Sequence, residues 1–408
     1  SSDLAEGKGI PVNIIGEKPA DTNSYARYKM SDLPGNYYEP DFEHLSQQMR
    51  FSYEFYDQVK VKSLEESKEI HTNFSWEKIG EIGYETLIEF YKNHPFIPIK
   101  NEIKISYLNG PKVEIVGDND ENYHIEFLDE NNKVIHEDNI TTNMWTTCSR
   151  KYYTKWKIKI NGNIVDELNL NNKRVLISLE SKSIGDTIAW TPYAVEFAKK
   201  HNCKVILSTF HNNWFKGLEA YKDIEFIEPG QTTECYAVYR IEWFRGDSGK
   251  WDKFEMYPNP LQSQPLQKTA SDILGLEFKE LNHGINFISK PKSTKTDYIV
   301  IAPESTTGCK EWPYDSWVML SKMLREIGYT VVTLTIKPYN IKGNLNIHGK
   351  TLYESMNILY NSEFLIGLSS GLSWINWSLG KQTVMISGFT QKDHEFKSSN
   401  IRIQNEHA

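Results

Sequence analysis

The spacing of apolar residues changes twice along the chain and separates three kinds of structure. In residues 1–96 the pattern predicts few elements: a buried strand at 9–16 and helices at 41–71 and 75–93. Asp41 and Ser75 stand at the positions expected of N-caps. Because one strand and two or three helices cannot close an α/β domain, this segment is predicted to be a partial α/β unit.

Residues 97–172 alternate apolar and polar positions in short runs such as EIKISYL, KVEIVG and YHIEFLD. Turn signals, among them Asn109-Gly110 and Asn161-Gly162, separate the runs and predict hairpins in a small antiparallel β-domain. Asp118-Asn119-Asp120 falls in one of these turns and is interpreted as turn chemistry rather than as a metal-binding motif. The domain could dock an acceptor or simply lengthen an interface.

From residue 173 onwards, strands and helices alternate, which is typical of doubly wound α/β folds. In 173–290, strands are predicted at 174–180, 204–210, 224–229 and 235–241, with helices at 187–202 and 265–276. In 291–408, strands are predicted at 298–305, 329–335, 364–367 and 383–387, with helices at 314–328, 351–362 and 372–380. The pattern therefore predicts two Rossmann-like domains that face each other across a cleft.

Composition and charge narrow the class of protein. Of 408 residues, 39% are hydrophobic and 13% aromatic, enough for several packed cores. The net charge of −8 gives no basic field for nucleic acid, and no apolar run reaches the length of a membrane span. There is no signal-peptide pattern at the amino terminus, and Cys148, Cys203, Cys235 and Cys309 lie far apart. We expect a cytoplasmic protein with reduced thiols and no metal site.

The stretch EFLIGLSSGLSWINWSLGKQTVMISG at 363–388 carries the clearest functional signal. An apolar run ends in a turn of small residues, Leu368 to Gly371, and a helical pattern follows at once. Backbone N–H groups at such a helix N-terminus face outward at the carboxyl edge of a parallel sheet, where a phosphate can bind. The alternative is an ordinary βαβ unit whose serines and glycine only cap the helix.

Three segments carry a family resemblance. VLISLESKSIGDTIAWTPYAVEFAKK, IVIAPESTTGCKEWPYDSWVMLSKMLREIGYTVV and FLIGLSSGLSWINWSLGKQTVMISGF resemble, in order and spacing, the lipopolysaccharide heptosyltransferases of glycosyltransferase family 9. With the β-domain in front of them, about residues 100–408 resemble the autotransporter O-heptosyltransferases. YYEPDFEHLSQQM and NFSWEKIGEIGYETLIEFY, within 1–96, resemble the closing segments of a family 4 glycosyltransferase.

The resemblance implies an α/β fold of GT-B type and an enzyme that moves a sugar, heptose from ADP-heptose, to a hydroxyl acceptor. Its implied partners are a nucleotide sugar and an adhesin-like protein serine or a glycan, and a homo-oligomer is left open. The implied chemistry is inverting and independent of metal. A different class also stays open: an adaptor fragment that binds sugar nucleotide or carbohydrate without turnover.

Glycosyl transfer needs a base for the acceptor hydroxyl and positive or N–H groups for the departing diphosphate. Asp186, after Gly185 and the strand at 174–180, is the predicted base; its alternative role is to cap the next helix, and Glu304 is the next candidate. Lys310 is predicted to act on the diphosphate, with a solvated loop charge as its alternative. The other predicted substrate contacts are Ser369, Ser370, Gly371 and Leu372 at the diphosphate, Thr306 and Thr307 in the lysine's loop, and Gly349, Lys350 and Leu352 near the nucleoside.

The sequence also departs from the family. The family's Asp-Ser-Gly is Ser369-Ser370-Gly371 here, and its following His is Trp374, as in the autotransporter branch. The cysteine-rich iron-binding segment of that branch is missing after IRIQNEHA. We therefore expect no iron site and no tightly bound cofactor in this chain.

Overall fold

The computed structural model describes residues 9–19, 36–93, 101–247, 249, 253–259, 264–290, 297–388, 390–391 and 393–404. The chain divides into two compact units, 1–97 and 98–408. The domain boundaries predicted near residues 96 and 290 adjoin segments outside the described residues.

The first unit contains a two-stranded antiparallel sheet and three helices in its described part. Its elements are β1 (Ile14–Pro19), β2 (Asn36–Pro40), α1 (Phe42–Glu54), α2 (Tyr56–Asn73) and α3 (Trp76–Asn93). Both predicted N-caps are confirmed, because the Asp41 carboxylate accepts the N–H groups of Glu43 and His44 and the Ser75 hydroxyl accepts that of Lys78.

Two predictions for this unit are wrong. The strand begins at Ile14 rather than residue 9, and it is not buried: Ile14 is 56% exposed, since its neighbour in the sheet is a single antiparallel strand. The helix predicted at 41–71 is two helices, because the backbone at Phe55 leaves the helical region (φ −111°, ψ 32°).

The predicted β-domain is confirmed as two antiparallel sheets. Its strands are β3 (Glu102–Ser106), β4 (Lys112–Val116), β5 (Asn122–Leu128), β6 (Val134–Thr141), β7 (Trp145–Thr147), β8 (Lys157–Ile160) and β9 (Asn163–Glu167). Within the described residues the sheet orders are β3-β4-β7 and β6-β5-β8-β9. Burial alternates along β4 and β5, so alternate side chains enter the core as the period of two predicted.

The first α/β half has a parallel sheet of order β12-β11-β10-β13. Its elements are β10 (Arg174–Leu179), α4 (Ile184–Trp190), α5 (Pro192–His201), β11 (Lys204–Ser208), β12 (Glu225–Ile227), β13 (Ala237–Ile241) and α6 (Leu266–Ile273). The helix predicted at 187–202 therefore begins three residues earlier and is interrupted at Thr191, before Pro192.

The second half has a separate parallel sheet of order β16-β15-β14-β17-β18-β19. Its elements are β14 (Tyr298–Ala302), α7 (Tyr314–Glu326), β15 (Thr330–Thr335), β16 (Leu345–His348), α8 (Leu352–Tyr360), β17 (Leu365–Gly367), α9 (Gly371–Ser378), β18 (Thr383–Ser387) and β19 (Asn400–Gln404). Sequence analysis missed β16 and β19, whose strands are short and largely polar on their exposed faces.

One apolar core runs from the β-domain into both α/β halves; it includes Ile125, Ile177, Val205, Val300 and Trp374. A second, smaller core lies in the second half around Trp317. Because all strands of each large sheet are parallel, the loops that follow β10, β13, β14 and β17 leave from the carboxyl edges of their sheets, where ligands bind in such folds. Among the described helices, none is long and apolar enough to cross a membrane.

Candidate active site

The first side of the site is the turn between β10 and α4. Ser183 is the N-cap of α4, and its hydroxyl accepts the N–H of Asp186 at 3.5 Å. Asp186 is therefore the third residue of the helix, and the alternative prediction that it caps the helix is wrong. Gly185 has no positive φ, so its expected role in a sharp turn is also wrong.

The carboxylate of Asp186 is buried and held by two donors on the same oxygen. The Ser181 hydroxyl donates to Oδ2 at 2.6 Å, and the Trp243 indole N–H donates to it at 2.9 Å. Burial raises the pKa of Asp186 above the ordinary value for aspartate, while the Ser181 and Trp243 hydrogen bonds and the charge of Lys310 oppose that rise. A carboxylate with a raised pKa is a better proton acceptor than a free one.

The second side is the turn between β17 and α9. Ser369 is buried, and Ser370 occupies the N-cap position without a hydrogen bond from its side chain to the helix. The Ser370 hydroxyl is buried and has no partner among the described residues. The neighbouring Ser373 hydroxyl is already used, because it donates to the carbonyl of Leu368 at 2.6 Å. This helix N-terminus thus keeps uncapped donors, as an anion site requires.

Lys310 brings a positive charge to the same turn. It ends a short 3₁₀ helix, Gly308–Lys310, in the loop after β14, and its ammonium group donates to the carbonyl of Ser369 at 3.4 Å. It is half-buried, and its charge influences the pKa values of both Asp186 and His394. The structure therefore places Lys310 beside the predicted phosphate turn and within electrostatic reach of Asp186, in contrast to a solvated loop charge.

The two halves touch where α4 and α9 begin. A Cβ added to Gly185 would lie 2.9 Å from the Trp374 side chain, and one added to Gly371 would lie 3.0 Å from Cβ of Ile184. Both distances are shorter than a side chain tolerates, so the glycines permit this close approach. The contact brings the base side and the anion side of the site together.

The other predicted contacts lie on the same edge of the second sheet. Thr306 and Thr307 are exposed in the loop before Lys310. Gly349 has φ +64° and, with Lys350, follows β16; Leu352 begins α8. The Lys350 ammonium group contacts Glu354 at 3.3 Å.

Glu304, the second candidate for the base, is already engaged. Its carboxylate accepts the backbone N–H groups of Ile336 and Lys337 and so joins the ends of β14 and β15. A carboxylate that holds two loops together in this way is a poor candidate for proton transfer.

Sequence analysis missed three residues that shape the site: Ser181, Trp243 and His394. The His394 ring lies beside that of Trp243, with centroids 6.4 Å apart, and its carbonyl accepts the N–H of Leu266 at 2.8 Å. Burial lowers the pKa of His394. A Ser near the end of a predicted strand was the available signal for Ser181; isolated Trp and His residues gave none.

The described residues do not fit an iron–thiolate site. Cys148 and Cys203 are buried, Cys235 is partly buried and Cys309 is exposed, and all four are free thiols. In the described part of the chain, the group able to share a cation is instead His124, Glu126 and Glu137, on the surface of the β-domain. Glu126 also lies opposite Lys159 in the sheet, which offers it a local counter-charge.

Comparison with known proteins identifies the family. The family model described as glycosyltransferase family 9 (heptosyltransferase) matches residues 263–400. The autotransporter heptosyltransferase Aah of Escherichia coli is 30% identical over 306 residues, 70% of this chain and 76% of Aah. The chain belongs to the autotransporter heptosyltransferases of glycosyltransferase family 9. The three motifs at Asp186, Lys310 and Ser369–Gly371 are thus the site of a glycosyltransferase family, as the resemblance implied.

Solved structures agree with the fold. The crystal structure described as the iron-containing dodecameric glycosyltransferase TibC, from enterotoxigenic E. coli H10407, has a TM-score of 0.67 and 26% identity and covers 75% of this chain and 83% of TibC. TibC has also been solved in complex with ADP-D-β-D-heptose. A protein described as an inactive autotransporter heptosyltransferase, BimC of Burkholderia thailandensis, is 28% identical over 64% of each chain.

Proposed function

We propose that this chain transfers heptose from ADP-heptose to a hydroxyl acceptor such as a protein serine. The observation that carries the proposal is that a buried acid, Asp186, and a cation, Lys310, come from different halves and lie in electrostatic reach of each other beside an uncapped helix N-terminus. The TibC complex supports the choice of donor. The cytoplasm is the proposed compartment, and a homo-oligomer is the proposed assembly, by analogy with dodecameric TibC.

In the proposed reaction, Asp186 accepts the proton of the acceptor hydroxyl as the hydroxyl oxygen attacks the anomeric carbon of heptose. The bond from that carbon to the diphosphate oxygen breaks, and ADP leaves with the electron pair. Lys310 and the N–H groups of Gly371 and Leu372, at the start of α9, stabilise the charge that develops on the diphosphate. These groups can serve the role a divalent ion has in other transferases, so the proposed chemistry needs no metal.

Thr306, Thr307, Ser369 and Ser370 are proposed to bind the diphosphate as hydrogen-bond donors. The buried hydroxyl of Ser370, without a partner in the described residues, supports its assignment, because a bound phosphate oxygen would supply the missing acceptor. Gly349, Lys350 and Leu352 are proposed to lie near the nucleoside, since they leave the same sheet edge two strands away from β14.

The test is transfer itself. The chain is incubated with ADP-heptose and a serine-rich adhesin fragment, and the intact mass of the fragment is measured; we expect an increase of one or more heptose units. UDP-glucose in place of ADP-heptose is the donor control. Binding of ADP without any gain in acceptor mass would contradict the proposal and support an adaptor that binds without turnover, a second candidate that the inactive relative BimC keeps in view.

A further inference from the structure

Trp243 lies where the first sheet can present a side chain to Asp186. It follows β13 by two residues, and β13 pairs with β10 as far as Leu179–Ile241. The indole N–H reaches Oδ2 of Asp186 at 2.9 Å, although the two residues are 57 positions apart in sequence. The contact therefore depends on strand pairing and not on a local motif.

The backbone around Trp243 is clamped on both sides. The buried Tyr257 hydroxyl donates to the carbonyl of Glu242 and accepts the N–H of Phe244 at 2.5 Å. The indole ring lies beside Trp190, on the same helix as Asp186, with centroids 6.2 Å apart, and beside His394 of the second half. These contacts hold the indole in one orientation.

Both hydrogen bonds to the carboxylate end on one oxygen. Ser181 and Trp243 both donate to Oδ2, while no donor of the described residues lies within hydrogen-bonding distance of Oδ1. The Ser181 hydroxyl is itself oriented, because its oxygen accepts the N–H of Ser183 at 3.1 Å. Saturating Oδ2 leaves Oδ1 as the oxygen with free lone pairs.

We infer that Trp243 is a positioning residue which, together with Ser181, holds Oδ2 of Asp186 so that Oδ1 faces the acceptor hydroxyl. The inference rests on the proposed role of Asp186 as the base and adds the orientation of that base. Because Trp243 also packs against His394, the orientation is complete only with both halves in contact.

The pH profile of transfer separates positioning from mere packing. Hydrogen bonds to an ionised carboxylate lower its pKa, so the loss of one raises the pKa of Asp186 and moves the acid limb of kcat to higher pH. The other titratable groups that face this network are Lys310, His394 and Glu242. None of them is altered by the variants used here, so a shift in the acid limb reports on Asp186.

The experiment compares Trp243→Phe, which keeps a ring but lacks the N–H, with Trp145→Phe, a matched change at an exposed position of the β-domain. For Trp243→Phe we expect kcat to fall roughly tenfold or more, KM for ADP-heptose to change less than about twofold, and the acid limb to move up by as much as about one pH unit. Trp145→Phe should leave the acid limb in place. A Trp243→Phe enzyme with unchanged kcat and acid limb, or with a raised KM alone, would overturn the inference.

Ser181→Ala keeps the question answerable if Trp243→Phe does not fold. It removes the other donor to Oδ2 and should move the acid limb in the same direction, while Ser181→Thr keeps the hydroxyl and should restore it. An unmoved limb in Ser181→Ala also overturns the inference. Asp186→Asn distinguishes the two levels: near wild-type transfer by it would remove the proposed base and this inference together, whereas its inactivity beside an unaffected Trp243→Phe would remove only the inference.

Discussion

The two turns that meet in this site have the same plan and opposite charge. Each follows a buried parallel strand, contains serines and a glycine, and leads into a helix. At the start of α4, Ser183 caps the helix and Asp186 adds a negative charge in the first turn. At the start of α9, Ser370 makes no capping bond and Lys310 lies against the turn.

The difference separates two tasks that a transferase needs. The α4 turn satisfies its own donors and stabilises a carboxylate, so it can hold a base but not a further anion. The α9 turn leaves its donors unused and adds a cation, so it can hold a diphosphate. Because Gly185 and Gly371 let the two helix starts approach closely, one substrate can reach both. The following predictions test this division of tasks.

The largest effect is expected for Asp186→Asn. Asparagine keeps the shape of the side chain and can accept from Ser181 and Trp243, but it cannot take a proton. Turnover should fall roughly 10²–10⁴-fold with the fold preserved. Initial rates of heptose transfer, with circular dichroism as a check on folding, measure it; a rate within about threefold of wild type would be incompatible with a general base here.

The next effect is expected for Lys310→Ala, on the anion side. Loss of the ammonium group removes a charge that stabilises the departing diphosphate, so kcat/KM should fall by roughly a hundredfold, and Lys310→Arg should recover part of the loss. Lys342→Ala, at an exposed lysine of the same half, is the matched control. Equal rates for the Lys310→Ala and Lys342→Ala enzymes would mean that Lys310 has no role in transfer.

The contact between the turns can be tested through stability. Gly185→Ala and Gly371→Ala each force a Cβ into a space about 3 Å from another side chain, and each should lower the free energy of unfolding by about 1–3 kcal/mol. Gly83→Ala in α3 meets no atom within 4 Å and should be neutral or stabilise by about 0.5–1 kcal/mol. Chemical denaturation measures all three. Stabilisation by all three substitutions would show that the helix starts do not touch.

The smallest effect concerns Asp186 and pH. Burial raises the pKa of Asp186 in the folded state, so the carboxyl group favours folding most below its ordinary pKa, and that contribution is lost as the pH rises through the folded pKa. Asp186→Asn, which is always neutral, should therefore be at least as stable as wild type at pH 7. Its advantage should shrink as the pH falls toward about 4. Urea unfolding at both pH values decides it, and lower stability of the variant at pH 7 would contradict the prediction.

Sequence reasoning located the order of strands and helices because buried parallel strands are continuous apolar runs. It located Asp186 and Lys310 because each follows such a run. It placed the start of α4 at Thr187, since Ser183 and Asp186 are both good N-caps and only the folded backbone shows which one is used. It missed Trp243, whose contact with Asp186 comes from strand pairing, and β16, whose partner strand rather than its own sequence makes it a strand.

Titration of ADP against Asp186→Asn and Lys310→Ala tests the division of tasks most directly, because it separates binding from turnover. We predict that Asp186→Asn binds ADP as tightly as wild type or more tightly, since a negative charge near the diphosphate is removed. Lys310→Ala should bind at least roughly tenfold more weakly. Calorimetry measures both constants under one set of conditions. Unchanged affinity in Lys310→Ala, or a large loss in Asp186→Asn, would contradict the assignment of base and anion site to the two turns.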